Sequence, residues 1–394
     1  MSQFGNQLIE KISMLQRLPV PSSKLFVWVF IPYLITEQGL ISEEYDTPTG
    51  RQELADVFAE LGLKWKWQPL TLENMQAVVE EVAASSNEYI PVVLNYCDGN
   101  DEIDGCPGVS VIKLLEQKGI IFTGGDSKFY HLTASKIWMK RAFMEASVAT
   151  APYEVILDSS RVQGVCDRLG TPLLVKPALA YGSIGISLES VVESDEQVSK
   201  QVQRLLQGVH EMQFPPDSIF VERFISGREF TVFLLGDSQQ PESLKIYPPI
   251  ELVFQSSLPE TQQFRSYDNF WGEHLEESSS SSSEPFYHCQ QVASDLSERL
   301  CDLSKRAYCA IGGNGYARVD IRMDKDSQEL FVLEVNANCA ISSIPLTDLS
   351  DLNQTSLGTI LHLAGIPFAQ LMSEIIAEAF DRYSTKSPLV SKAV

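Results

Sequence analysis

Residues 316–343 read YARVDIRMDKDSQELFVLEVNANCAISS. Two apolar runs, ARVDIRM (317–323) and LFVLEV (330–335), flank a polar, turn-rich segment, which predicts a β-hairpin. Each run is interrupted by an acid, Asp320 in the first and Glu334 in the second. Side chains alternate faces along a strand, so Arg318, Asp320 and Arg322 share one face, and Glu334 and Asn336 share one face of the partner. If the two faces coincide, two carboxylates, an amide and a guanidinium converge. Clustered carboxylates are costly without a neutralising cation. Mg²⁺ is the natural one, a hard ion that takes one or two carboxylates together with substrate phosphates. A solvated hairpin with its charges in water is the alternative, and the apolar run around Glu334 weighs against it.

Two further stretches carry chemistry. In LLVKPALAYGSIGIS (173–187) an apolar strand ends at Lys176, ahead of a loop with Gly182, Ser183 and Gly185. Glycines let backbone N–H groups approach phosphate oxygens while a lysine supplies a point charge. Gly-Ser loops after strands are common, and this one is not a Walker A sequence. In IFVERFISGREFTV (219–232), Glu222 and Glu229 flank a turn on adjacent strands. They could accept hydrogen bonds from an adenine amino group and ribose hydroxyls, or simply edge a hairpin.

Bulk properties bound the class. The 394 residues suggest two or three domains. With 44% hydrophobic and 21% charged residues the chain is an ordinary globular protein. A formal net charge of −22 argues against nucleic-acid binding and against anionic membranes. The strongest apolar run, LFVWVFIPYLI (25–35), is too short to span a bilayer and reads as a buried strand. Seven cysteines without CxxC spacing indicate neither a disulfide framework nor zinc, so a reducing, cytoplasmic interior is expected.

Along the chain, an amphipathic helix is expected over 1–16. Strands and helices then alternate to residue 125, which predicts an open, mostly parallel sheet. Helix is expected over 132–148, 159–170, 191–209, 288–312 and 365–380, and strand over 172–178, 218–225 and 228–236. Residues 255–285 read as an irregular loop containing six serines (278–283).

The order of these signals, Lys and Gly-rich loop, Glu…Glu, then Arg-x-Asp…Glu-x-Asn, resembles the ATP-grasp superfamily, and more closely the D-alanine–D-alanine ligase-like family. LNYCDGNDEIDGCPGVSVIKLLEQKGIIFTGG (94–125) is similar to the family's segment before the ATP-grasp domain. TASKIWMKRAFMEASVATAPY (133–153) resembles its "DK…K" helix. The resemblance implies an α/β (α+β) fold with a Rossmann-like pre-ATP-grasp domain (1–125), an ATP-grasp central subdomain (126–225) and a C-terminal subdomain (226–385). It implies that Lys136 and Lys176 contact ATP phosphates under Gly182 and Ser183. Glu222 meets adenine, the backbone of Arg223 and Ile225 adds ring contacts, Glu229 binds ribose, and Ile186 and Leu333 pack on the base. Asp320, Glu334 and Asn336 hold two Mg²⁺ ions, or Mn²⁺ in their place, and Arg318 stabilises the transferred phosphoryl group. The implied reaction joins a small-molecule carboxylate to an amine through an acyl phosphate, in a homodimer.

Departures from the family concern the substrates. The N-terminal signature with the amine-binding glutamate is not found near residue 30; Glu37 and Glu43 are candidate substitutes, and neither is favoured. Tyr181 replaces a glycine of the phosphate loop, while Phe270 and Trp271 replace a lysine and a tyrosine of the lid in FRSYDNFWGEH (264–274). Cys339 and Ala340 replace Pro-Gly, the cysteine reading as a small hydrophobe. These changes predict a ligase for amino-acid-type substrates other than two D-alanines, bulkier or more aromatic. A cell-wall D-alanine–D-alanine ligase and a catalytically inactive nucleotide-binding regulator are the alternatives.

Overall fold

The computed structural model describes residues 18–384 except 38, 43–44, 102, 158–160, 181, 210–211, 268–285 and 347–353. The helix expected over 1–16, the serine run, Glu43, Tyr181, Phe270 and Trp271 lie outside the described residues.

Strand β1 (Leu25–Pro32) is buried throughout except at half-buried Phe26, as befits an apolar strand with parallel partners on both sides. The hairpin β2 (Leu34–Thr36) and β3 (Gly39–Ile41) follows. Then come α1 (Pro48–Leu61), β4 (Lys64–Leu70), α2 (Met75–Ala84), β5 (Ile90–Asn95), α3 (Val109–Lys118) and β6 (Ile121–Phe122). Strands β4, β1, β5 and β6 pair in that order, all parallel. Local chemistry fixes α1 at both ends. The Thr47 side chain accepts the Gly50 N–H at 3.0 Å, Pro48 opens the first turn, and Gly62 closes the helix at φ 63°.

The single helix expected over 132–148 is two, α4 (Ser127–Thr133) and α5 (Lys136–Glu145). They separate where the Lys136 N–H is taken by the Ala178 carbonyl at 3.0 Å. Next come β7 (Tyr153–Val155), α6 (Val165–Leu169), β8 (Leu173–Pro177), β9 (Val191–Val192), α7 (Asp195–Gln207) and β10 (Ile219–Arg223). They build a four-stranded antiparallel sheet, ordered β7, β10, β8, β9.

The third part holds β11 (Gly227–Leu235), β12 (Lys245–Ile246), β13 (Ile250–Phe254), β14 (Tyr287–Gln291), α8 (Ser294–Ala310), β15 (Tyr316–Asp324), β16 (Leu330–Ala337), α9 (Ser356–Ala364) and α10 (Phe368–Ser384). Its six-stranded sheet runs β14, β13, β11, β15, β16, with β12 on β11. The helix expected over 288–312 is therefore wrong at its start. Residues 287–291 pair as a strand with β13, and the helix begins at Ser294.

The decisive register lies in this sheet. Thr231 of β11 pairs with Asp320 of β15, and Asp320 pairs with Glu334 of β16. The next rows are Phe233–Arg318–Asn336 on one side and Glu229–Arg322 on the other. A bulge between Asp320 and Ile321 shifts the register so that Ile321 faces Val332. Leu333 is the extra residue, turned toward the same cleft as Glu334; bulges commonly re-aim side chains in this way beside active sites. Helix α10 carries Leu371, Met372, Ile375 and Ile376 into the core shared with β1 and β5. Arg382 at its end donates to the Phe122 carbonyl at 3.1 Å, and Glu378 of the same helix accepts from the Gly315 N–H at 3.2 Å, so the last helix ties the first sheet to the start of β15.

Candidate active site

Two adjoining cavities, about 390 Å³ and about 220 Å³, meet at a common wall that includes Lys136, Arg318, Glu334 and Asn336. The smaller one is lined by the residues named from the sequence for the nucleotide, the metal and phosphoryl transfer: Lys136, Lys176, Gly182, Ser183, Ile186, Glu222, Arg223, Ile225, Glu229, Arg318, Asp320, Leu333, Glu334 and Asn336. The larger is walled on one side by the first sheet and α1, through Ile31, Gly50, Glu53, Leu54, Trp67 and Tyr96.

On the β15–β16 face the hairpin's charges are tightly organised. Arg318 donates to both oxygens of Asp320, at 3.1 Å and 3.2 Å from Nε and 3.0 Å from Nη2. The Thr231 hydroxyl donates to Asp320 at 2.8 Å. Asn336 Nδ2 donates to Asp320 at 3.1 Å and to Glu334 at 3.4 Å. From α5, Lys136 Nζ stands 3.0 Å from Glu334 and donates to the Ala180 carbonyl at 2.5 Å. Burial acts to raise the Glu334 carboxyl, but Lys136, then Lys176 and Arg318, hold it down at about 2. The donor set suits a hard divalent ion: two carboxylates and an amide oxygen, with the remaining ligands left to phosphate and water. Among the described residues no group of three or more His, Cys, Asp or Glu side chains could hold a metal by itself.

Behind the 182–186 loop lies a buried triad. Glu222 is 2.6 Å from Lys140 and 2.5 Å from Lys176. Lys140 also donates to Thr150 Oγ1 at 2.8 Å and the Ala151 carbonyl at 3.1 Å. Burial pushes Glu222 up, yet the two lysines leave it below its ordinary value. Desolvation lowers Lys140 despite Glu222. The Glu222 carboxylate thus positions Lys176, and any bond from it to adenine would be shared with two cations. Lys140 was not assigned from the sequence, although it sits four residues, one helical turn, from Lys136.

The 182–186 loop forms the roof. Gly182 and Ser183 take left-handed conformations, φ 55° and 60°, and Gly185 has φ 80°. A Cβ on Gly185 would come within 2.9 Å of Pro177 Cγ, so the close approach to β8 requires glycine there. The Ser183 hydroxyl donates to the Arg265 carbonyl at 3.0 Å, and the Tyr267 N–H donates to the Ile186 carbonyl at 2.8 Å. The loop is therefore stapled to the segment after β13.

In the larger cavity the candidate amine-binding carboxylate is Glu53 of α1. It accepts from the Ser343 N–H at 2.6 Å, from the Ser342 hydroxyl at 3.2 Å and from the Ser343 hydroxyl. Its signal was a Gly50, Glu53, Leu54 spacing that places all three on one helical face. Glu37 is exposed at the β2–β3 turn. Cys339 is buried, and burial pushes its thiol up to about 12, in keeping with a structural role. Ala340 beside it is exposed to both cavities.

Comparison with known proteins bears on the family and the fold. Residues 143–377 match the family model described as "D-ala D-ala ligase C-terminus". A D-alanine–D-alanine ligase of Bordetella petrii is 27% identical over 266 residues, 67% of this chain and 70% of the relative. One from Geobacter sulfurreducens is 28% identical over 273 residues, 69% of this chain and 74% of the relative. Among solved structures, the D-alanine–D-alanine ligase of Bacillus anthracis complexed with ATP superposes with a TM-score of 0.60 at 18% identity, covering 92% of this chain and 99% of that one. A biotin carboxylase–ATP complex from Campylobacter jejuni gives 0.59 at 13% identity, covering 90% and 71%. The fold is thus the α/β ATP-grasp architecture behind a Rossmann-like domain. The chain belongs to the D-alanine–D-alanine ligase family of ATP-grasp enzymes, ligases that form carbon–nitrogen bonds.

Proposed function

We propose that the protein activates the carboxylate of one amino acid with ATP and joins it to the amine of a second. The nucleotide would lie in the 220 Å³ cavity and the amino acids in the 390 Å³ one. One observation carries this reading: Lys136, Arg318, Glu334 and Asn336 stand on the wall shared by the two cavities, with Asp320 beside them in the smaller one and Lys136 3.0 Å from Glu334. Magnesium–ATP supplies the γ-phosphoryl group and the divalent charge that two close carboxylates favour. A substrate carboxylate oxygen attacks the γ-phosphorus and ADP leaves. The second amine then attacks the acyl phosphate carbon, and inorganic phosphate leaves. In this scheme Lys136 and Lys176 neutralise phosphate oxygens, Arg318 faces the transferred group, Ala340 offers a backbone N–H to the developing oxyanion, and Glu53 takes the ammonium of the first amino acid. We assign two ions to the metal set, the boundaries near residues 125 and 225 to the domains, and a homodimer to the assembly.

D-alanine at both positions is the substrate pair that the relatives support, better than the bulkier pair expected from the sequence. Tyr181, Phe270 and Trp271, on which that expectation leaned, lie outside the described residues. One observation still favours a larger substrate: Tyr45, Trp67, Tyr96 and Asp98 make a more aromatic and acidic wall than a methyl side chain needs. ADP release measured with D-alanine, L-alanine and a panel of larger amino acids decides between them. Selective stimulation by D-alanine supports the first reading; selective stimulation by a larger amine replaces it with the second. No stimulation by any amino acid contradicts the ligase assignment. Among the described residues, no single helix is long and apolar enough to cross a membrane.

A further inference from the structure

Arg265 is a basic side chain of the smaller cavity that lies off the β15–β16 hairpin and has no task in the reaction scheme. It projects from the irregular segment after β13, with its side chain 13% exposed. Its Nε donates to Glu229 at 3.1 Å, and its Nη2 lies 3.7 Å from Asp320. The guanidinium therefore bridges a carboxylate of β11 and a carboxylate of β15, the first proposed for ribose and the second for the metal. Its neighbours are committed elsewhere. Arg322, 3.6 Å from Glu229, has Nη2 bound to the carbonyls of Gly227 and Gln263 at 2.8 Å and 2.9 Å. Arg318 chelates Asp320 from the side of the larger cavity. Arg265 makes no other side-chain hydrogen bond among the described residues, while its carbonyl is held by Ser183 Oγ at 3.0 Å. The backbone is anchored to the 182–186 loop, and among the described residues the head group is held by the two carboxylates, through one hydrogen bond to Glu229 and the charge of Asp320.

We propose that Arg265 is a tethered counter-cation of the nucleotide cleft, bridging Glu229 and Asp320 until ribose and a divalent ion claim those carboxylates, and then turning to the triphosphate. A divalent charge on Asp320 repels a guanidinium a few ångströms away, and phosphate oxygens are its natural bidentate partner. The arginine thus competes with the nucleoside part of the ligand and assists the phosphate part. Charge on the carboxylates stays compensated at each stage, and Ser183 keeps the arginine within reach of the loop.

The inference rests on the proposed ribose and metal roles, and binding measurements separate its failure from theirs. Adenosine and Mg·ATP are titrated calorimetrically against the full chain and its Arg265→Gln and Arg265→Lys variants, without amino-acid substrates. Arg265→Gln is expected to bind adenosine about threefold more tightly, because Glu229 loses a competitor, and Mg·ATP about tenfold more weakly, because a charge-assisted phosphate contact is lost. Arg265→Lys keeps the charge and should retain most of the Mg·ATP affinity. If Arg265 were only a structural brace, the Gln variant would weaken both ligands together, and that result overturns the proposal. Unchanged affinity for both ligands overturns it too. Should the Gln variant not fold, Arg265→Lys is read alone, and loss of most of its Mg·ATP affinity overturns the proposal. Glu229→Gln is the control: if adenosine affinity does not change in that variant, the ribose assignment itself is wrong, and this proposal falls with it.

Discussion

Asp320 and Glu334 face each other directly across the β15–β16 ladder, and the Asn336 amide donates to both carboxylates, at 3.1 Å and 3.4 Å. Two acids at one register position are tolerable because Arg318 grips the first and Lys136 the second. The proposed divalent ion would add to this compensation at the same two carboxylates.

Replacing Glu334 by Gln keeps the shape and removes one charge. ATP turnover should fall by about a hundredfold or more, since phosphoryl transfer depends on neutralising charge in place. Cooperative unfolding in urea should persist. Near-wild-type turnover in this variant would contradict the metal assignment.

The same residue makes an acid-stability prediction. Its carboxyl lies at about 2 in the folded protein, against an ordinary 4.5. A carboxyl lowered on folding stabilises the native state above the unfolded value, and that contribution is lost as pH falls through the folded one, because the unfolded chain takes the proton first. The urea midpoint of Glu334→Gln should therefore drop less than wild type between about pH 5 and about pH 3. Parallel declines would show that Glu334 is not held in its charged form.

Lys140 tests the buried triad. It is fully buried against Glu222, and breaking a buried pair by removing one partner costs about 3–5 kcal/mol. Lys140→Met should destabilise by that amount in chemical denaturation. Adding Glu222→Gln should cost less than the sum of the two single changes, since the uncompensated charge goes with it. Strict additivity would mean that the lysine acts independently of Glu222.

Glu53 tests the amine pocket. Glu53→Gln should raise the KM for the amino-acid substrate by about tenfold while leaving the KM for ATP near wild type. An unchanged amino-acid KM would move the ammonium site elsewhere.

The convergence of Arg318, Asp320, Glu334 and Asn336 was readable because period-two alternation and antiparallel pairing decide which side chains meet, and both are local properties. The parallel first sheet was readable from the near-continuous apolar runs of β1 and β5. Other elements depended on distant partners. His288–Gln291 resembles the start of a helix, yet pairs with β13 as a strand. The break between α4 and α5 is set by Ala178, more than forty positions away in the chain. Lys140 earns its place only through Glu222, and Arg265 sits in a segment with no periodicity. Leu333 reaches the cleft because of a bulge, which residue alternation alone places on the other face. Glu53 escaped because its serine partners come from the far end of the chain.

The most direct test follows the oxygen. D-alanine, or whichever amino acid stimulates turnover, is labelled with ¹⁸O in its carboxylate and incubated with ATP, and the released phosphate is weighed by mass spectrometry. An acyl phosphate requires one labelled oxygen to pass into phosphate for each amide bond formed. Amide formation with unlabelled phosphate would contradict the account.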